Sequence, residues 1–331
     1  MKERLFTSGR NMLDIDPVLH AWHWEIPAYL FLGGLAAGLV FFASFYYLRG
    51  KEDQMNVAVK IAPMVAPIAI IIGLVFLLLD LKHKLYFWQL YTTIRLDSPM
   101  SWGAWTLGVV MPLSIIWPLL YLDDLKKYFW NKNIVIYNLI DWLEKLINDF
   151  GFAKSILGWL KENQKVIAWA NIILSVILGV YTGILLSAFN ARPLWNTAIL
   201  GPLFLTSGIS TAAATIMWMA TDHYERVRFS RIDLWLIAVE LFLITHMFMG
   251  LTAGTQASAD AAALFMGGPY TAIFWIGIVG MGLVLPATLE IMELLGFKVP
   301  IAIPAFLILF GGALFRFVMV DAGQLSKYFF Q

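Results

Sequence analysis

The sequence predicts an all-α integral membrane protein with eight transmembrane helices, and two observations carry that prediction. Sixty per cent of the 331 residues are apolar and 14% are charged, a balance that a soluble domain could not keep out of aggregation. The apolar residues also fall into eight runs, each close to the roughly 20 residues that cross a bilayer. The runs cover 26–48, 57–79, 102–121, 166–188, 197–220, 232–251, 271–295 and 300–320. They divide the sequence into an N-terminal segment (1–25), spans one to four (26–188, with a long polar loop at 122–165), spans five to eight (197–320) and a tail (321–331).

Composition also excludes several functions. The net charge of +1 is spread over scattered loop residues, which leaves no field for nucleic acid. Lys2, Arg4, Arg10, Asp14 and Asp16 interrupt the first 25 residues. A cleavable signal needs a continuous apolar core, so the first span is expected to direct insertion. The absence of cysteine removes disulfides and any thiolate-ligated iron–sulfur cluster. A cluster, if needed, belongs to a partner.

Orientation follows from the basic residues. The loops after spans one, three, five and seven carry 14 of the 23 Lys and Arg, seven of them in the loop 122–165, and the opposite side carries nine. The positive-inside rule places both termini outside and these loops in the cytoplasm. In the long loop, Leu139, Leu143, Leu146 and Phe150 recur at helical spacing among Asp141, Glu144, Lys145 and Asp149. This pattern predicts an amphipathic helix lying on the cytoplasmic membrane face.

Span one contains Gly33-Gly34-Leu35-Ala36-Ala37-Gly38, in which Gly34 and Gly38 form a Gly-x-x-x-Gly pair that admits another helix at close range. Leu30-Phe31-Leu32 before this run is echoed by Leu203-Phe204-Leu205 before Thr206, Ser207, Gly208, Ser210, Thr211 and Ala212. Both segments enter the membrane in the same direction. The echo predicts two four-helix halves related by a parallel repeat.

An ionisable residue within a span marks a functional site by default, because hydrocarbon solvates charge poorly. His23, Glu25, Tyr29, Asp80, His83, Tyr181, His246, Arg316 and Asp321 are placed near the outer face. Glu240 lies deeper in span six, and Glu290 toward the cytoplasmic end of span seven. Of the five histidines only His246 is well inside a span, which argues against the paired axial ligands of a diheme cytochrome b. No metal ligand set is assigned. Ordinary roles stand beside the functional ones: a packing hydrogen bond for His246, an ion pair between Arg316 and Asp321, and snorkelling for Glu290 near Pro286. Trp22-His23-Trp24-Glu25 supplies indoles suited to the interface. With its two titratable groups the segment also suits a flat, proton-accepting ring such as a quinone headgroup.

Four blocks carry a family resemblance: Trp24 and Tyr29-Leu-Phe-Leu-Gly-Gly-Leu-Ala-Ala-Gly38; Phe87-Trp88 to Asp97-Ser-Pro-Met-Ser-Trp-Gly-Ala-Trp105; Tyr181-Thr-Gly-Ile-Leu-Leu-Ser187; and Gly311-Gly-Ala-Leu-Phe-Arg316 to Asp321-Ala-Gly-Gln324. The chain resembles the NrfD/PsrC family, the membrane subunits of polysulfide-reductase-type molybdopterin oxidoreductases. The resemblance implies two four-helix bundles without haem and a menaquinone-type quinone near the outer face. It also implies a ferredoxin-like iron–sulfur subunit that passes electrons between that quinone and a molybdopterin catalytic subunit. Localisation would be the cytoplasmic membrane of a bacterium or archaeon. Carried over by position, Tyr29 and Tyr181 match quinone-contacting residues. Asp80 opens a motif that here reads Asp80-Leu81-Lys82-His83-Lys84 and keeps only the family's first two positions.

The resulting expectation is a quinone-reactive subunit with no catalytic residues of its own, in which Tyr29, Tyr181, Asp80, His23, Trp22, Glu25 and His83 surround the headgroup. A second reading is proton translocation through Glu240, His246, Glu290, Arg316 and Asp321. A purely structural anchor is the third.

Overall fold

The computed structural model describes residues 22–130 and 132–326. The N-terminal segment through residue 21 and the tail from 327 lie outside the described residues. Eight helices are long and apolar enough to cross a membrane: Glu25–Leu48, Val57–Asp80, Pro99–Leu119, Gln164–Ser187, Leu200–Met219, His223–Ala253, Ile273–Leu294 and Ala302–Leu325, here spans one to eight. No strand occurs among the described residues. Large apolar side chains such as Ile68, Ile71, Ile72 and Val75 of span two point outward, as a helix surrounded by lipid requires.

Three boundaries differ from the expected ones. Span three starts at Pro99, since a proline in the first turn surrenders an N–H that has no helical partner there. Span six starts at His223, nine residues before the expected position, because Glu225, Phe229, Ser230 and Asp233 of its first turns are buried against neighbouring helices. Span eight runs to Leu325, so Asp321 stands on a helix rather than in a tail. Spans two and seven also contain π-helical stretches, Val57–Ile61 and Ile273–Val284. Apolar patterning carries no sign of them.

Spans one to four close a ring of contacts, one against two, two against three, three against four and four against one. Spans five to eight close a second ring in the same way, and the rings meet where spans one and four pack on span five and span one on span eight. Small residues make the central crossing. A Cβ on Gly38 would sit 2.6 Å from Ala212 Cβ and 2.7 Å from the Gly208 carbonyl, and one on Gly208 would sit 2.8 Å from the Gly34 carbonyl. The small-residue runs of spans one and five therefore pack against each other.

Trp22 ties the beginning of span one to the end of span eight: its N–H donates to Gln324 Oε1 at 2.9 Å and its carbonyl accepts from Gln324 Nε2 at 2.8 Å. This end of the molecule is the terminal face. At the opposite, loop face, buried Glu225 accepts from the backbone N–H groups of Val57 and Ala58 at 3.1 and 2.7 Å. A carboxylate there satisfies the orphan donors and the positive dipole end of span two. The loop 122–165 forms three helices instead of one: Leu122–Phe129, Ile134–Asp149 and Gly151–Glu162. Ile140 faces inward, while Leu139, Trp142, Leu146 and Phe150 are exposed. Lys126 bridges Asp141 and Glu144 at 2.7 and 2.6 Å, and Lys145 joins Asp141 at 2.7 Å.

Replacing Gly38 or Gly208 with Ala should destabilise the protein by about 1–3 kcal/mol through overpacking, measured as a lower thermal midpoint in detergent. Gly250→Ala, where a new Cβ meets nothing within 4 Å, should be neutral or stabilising. Hydrogen bonds from Lys126 and then Lys145 hold the Asp141 carboxyl below the usual carboxylate range. A depressed carboxyl stabilises above its ordinary range and loses that contribution as pH falls through the depressed value. Protection from hydrogen exchange over 134–149, measured against the intrinsic rate at each pH, should therefore be high at neutral pH and fall on acidification below the ordinary carboxylate range.

Candidate functional site

Two groups of polar side chains stand out, one in each ring. In the first ring, Tyr29 of span one is buried and packs on span two, where a Cβ on Gly73 would lie 3.2 Å from its ring. Tyr29 lies within electrostatic reach of Tyr181 and Tyr91. Tyr181 of span four lies over Gly103 of span three so closely that a Cβ there would sit 1.9 Å from its Cζ and 2.1 Å from its hydroxyl. Any larger residue at 103 would displace this ring from its present position.

The block Ser98-Pro99-Met100-Ser101-Trp102-Gly103 thereby acquires a physical account. Pro99 opens span three, Trp102 Nε1 donates to the Leu96 carbonyl at 2.9 Å and pins the preceding connection, and Gly103 seats Tyr181. Beside Tyr181 a cleft of about 580 Å³ opens between spans three and four, lined by Asp97, Trp102, Thr106, Ile177 and Val180 among others. A neighbouring cavity of about 420 Å³ is bordered by His83, Gln89, Thr93 and Ser101.

At the end of span two, Asp80 is half-buried and lies within electrostatic reach of Glu25 and His23. Glu25 keeps one buried oxygen, Oε2, without a hydrogen-bond partner. His23 is exposed, and Trp24 meets Phe76 edge-on at 5.1 Å. Tyr91, outside the spans, has its hydroxyl pKa raised by burial. The structure thus places Tyr29 within electrostatic reach of Tyr181, and Asp80 within reach of Glu25 and His23. It does not bring Trp22 to them: that indole packs on Phe189 and Trp195 at 4.9 and 5.3 Å and belongs to the clamp on Gln324. His83 is exposed and borders only the second cavity.

The second group is a string of buried charges. Arg316 of span eight is 1% exposed and donates to Ser207 Oγ at 2.5 Å, to the Gly312 carbonyl at 2.9 Å and to the Phe204 carbonyl at 3.1 Å. Its guanidinium lies against span one, where a Cβ on Gly34 would sit 3.4 Å from Nη2. Glu240 of span six is within electrostatic reach of Arg316 and Asp233. Ser210 links the acids, donating to Asp233 Oδ1 at 2.7 Å. A void of about 10 Å³ lined by Ser207, Ser210, Glu240 and Gly312 has room for about one water. Glu290 of span seven is fully buried, has no hydrogen-bond partner on either oxygen, and neighbours Asp233 and Glu293.

Asp233 and Glu240 are seven apart on one helix, hence on one face and about 10 Å apart along it. The string runs from Arg316 in the interior to Glu293 near the loop face. Two expected members are absent from it. His246 points outward, its Nδ1 only 2.8 Å from the Phe242 carbonyl of its own helix, because its position faces away from spans five and eight. Asp321 is exposed and accepts from the Tyr270 hydroxyl at 2.6 Å instead of pairing with Arg316. That bond, after burial, raises the Tyr270 pKa.

Sequence reading missed Asp233, Ser207 and Ser210. The seven-residue spacing to Glu240 was available as a signal, but Asp233 stands at the start of the expected span, two residues from Arg231, where a charge reads as the membrane boundary.

A helix bundle with two such polar groups, one beside a cleft and one internal, defines a multi-pass membrane protein built around intramembrane polar sites. Residues 15–326 match the family model for polysulphide reductase, NrfD, and the chain belongs to the NrfD family. It is 32% identical to Protein NrfD of Escherichia coli K12, covering 92% of this chain and 95% of that one. It is 31% identical to a polysulfide reductase chain of Wolinella succinogenes, over 92% and 94%. A selenate reductase subunit of Mesobacillus selenatarsenatis is 23% identical over 93% and 75%.

If Gly103 seats Tyr181, Gly103→Ala should lower the thermal midpoint, and Tyr181→Ala should relieve much of that loss. The double-mutant cycle should return a coupling of about 1–3 kcal/mol; additivity would remove the contact from the account.

Proposed function

We propose that this chain is the quinone-reactive membrane subunit of a reductase complex, exchanging electrons between a menaquinone-type quinone and a ferredoxin-like iron–sulfur partner that serves a molybdopterin subunit. Tyr181, seated on Gly103 beside a cleft of about 580 Å³ and within electrostatic reach of buried Tyr29, carries this reading. Such a volume is within the usual range for small-molecule sites, and Trp102, Ile177 and Val180 offer the apolar walls a flat ring and its tail require. The relatives are named as one chain of a polysulfide reductase and one subunit of a selenate reductase, which favours a role within a larger complex. In this reading the two rings are two four-helix bundles and the terminal face is outermost in a bacterial or archaeal cytoplasmic membrane.

A bound quinone supplies two-electron chemistry accompanied by proton uptake or release. The tyrosine hydroxyls donate hydrogen bonds to ring oxygens and orient the headgroup. Asp80, Glu25 and His23, grouped where spans one and two meet the terminal face, exchange protons with the adjacent water. Tyr29→Phe or Asp80→Asn should lower quinone-linked turnover about tenfold or more while the complex still assembles. Full turnover in both variants would reject the site.

A second reading, proton translocation, is favoured by the buried string from Arg316 through Glu240 and Asp233 to Glu290. Carboxyl groups linked by a hydroxyl and a water-sized void are suited to relaying protons toward the loop face. Glu240→Gln and Asp233→Asn should each abolish proton movement across reconstituted vesicles without stopping quinone turnover. Unchanged proton movement in both would leave the string as buried structure.

A further inference from the structure

The helices of the loop face enclose a cavity of about 310 Å³ that the electron-transfer reading does not use. Its apolar side is made by Leu119 and Leu120, where span three ends, and by Leu157 of Gly151–Glu162. Its polar side carries both signs of charge. Lys154 and Lys161, seven apart on that helix and therefore on one face, border it opposite Asp123 and Glu144. Glu144 is held by Lys126 at 2.6 Å. Among the described residues, Lys154, Lys161 and Asp123 enter no ion pair within 4.0 Å. Two ammonium groups and a carboxylate thus line one cavity without neutralising each other.

The depth of this cavity is informative. It lies where a spanning helix ends, and the surrounding helices expose Trp142, Phe150, Phe152 and Trp159, each more than half exposed. Exposed indoles and phenyl rings on amphipathic helices beside the end of a span lie in the headgroup layer of a bilayer. A ligand reaching this position from the membrane presents a headgroup to the polar side and acyl chains to the apolar side.

We infer that this cavity is a binding site for a zwitterionic phospholipid bearing a primary amine, phosphatidylethanolamine. Its phosphate is placed between Lys154 and Lys161, and its ammonium is placed on Asp123. Phosphatidylglycerol offers the lysines the same phosphate but presents Asp123 with neutral glycerol hydroxyls in place of an ammonium, so the opposed charges favour the zwitterion.

The test is native mass spectrometry of the full-length protein in mild detergent, titrated separately with phosphatidylethanolamine and phosphatidylglycerol. The wild type should retain phosphatidylethanolamine in preference to phosphatidylglycerol. The double variant Lys154→Gln/Lys161→Gln should bind it about thirtyfold more weakly, the loss expected for two lysines at a membrane surface. Lys154→Arg/Lys161→Arg and the outlying Lys165→Gln should bind as wild type, showing that charge at the site and not general folding is read. Asp123→Asn should erase the preference between the two lipids. Equal or tighter binding of phosphatidylglycerol by the wild type would overturn the assignment, as would undiminished binding by the double glutamine variant.

Discussion

The close crossing of spans one and five is the contact on which the rest of this architecture depends. Lipid is as apolar as the side chains it surrounds, so no hydrophobic force draws spans together, and association rests on close packing. Gly34, Gly38, Gly208 and Ala212 allow backbones to approach within side-chain distance. That approach joins the two rings of helices. It also sets Arg316 against Gly34, where the guanidinium finds acceptors on span five and on its own helix. A wider crossing would leave that cation with fewer partners in hydrocarbon, where charge is costly.

The same device seats the aromatic groups of the first ring. Tyr29 rests on Gly73 and Tyr181 on Gly103, so two hydroxyls are carried deep between helices by the absence of side chains opposite. Glycine thus shapes the cleft twice, by making room and by fixing what fills it. The second ring uses charge differently. Of the buried carboxyls Asp233, Glu240 and Glu290, only Glu240 lies within electrostatic reach of the buried Arg316 guanidinium, and both Glu290 oxygens lack a hydrogen-bond partner. Burying such groups costs several kcal/mol unless something compensates, which is why the string invites a functional reading while the clamp of Trp22 and Gln324 does not.

Much of this was legible in the linear sequence. Apolar run length identified all eight spans, and the motif around Ser98–Gly103 pointed to the family before any geometry. Tyr29, Tyr181, Glu240 and Arg316, singled out in the sequence as polar groups within spans, are all buried in the structure. Span six extends further than expected because Arg226, Arg228 and Arg231 resemble a loop, although the same turns bury Glu225, Phe229 and Ser230. His246 was placed with the internal acids on depth alone, and depth says nothing of which way a helical side chain points.

By itself, then, the sequence determined the membrane class, the number of spans and the residues too polar to lie in lipid without a reason. Those follow from the thickness and low polarity of the bilayer, which act on each segment separately. Only the tertiary structure decided which polar groups meet. Helix rotation and inter-helix distance are set jointly by pairs such as Gly38 with Ala212 and Gly103 with Tyr181, far apart in the sequence, and no single segment encodes them.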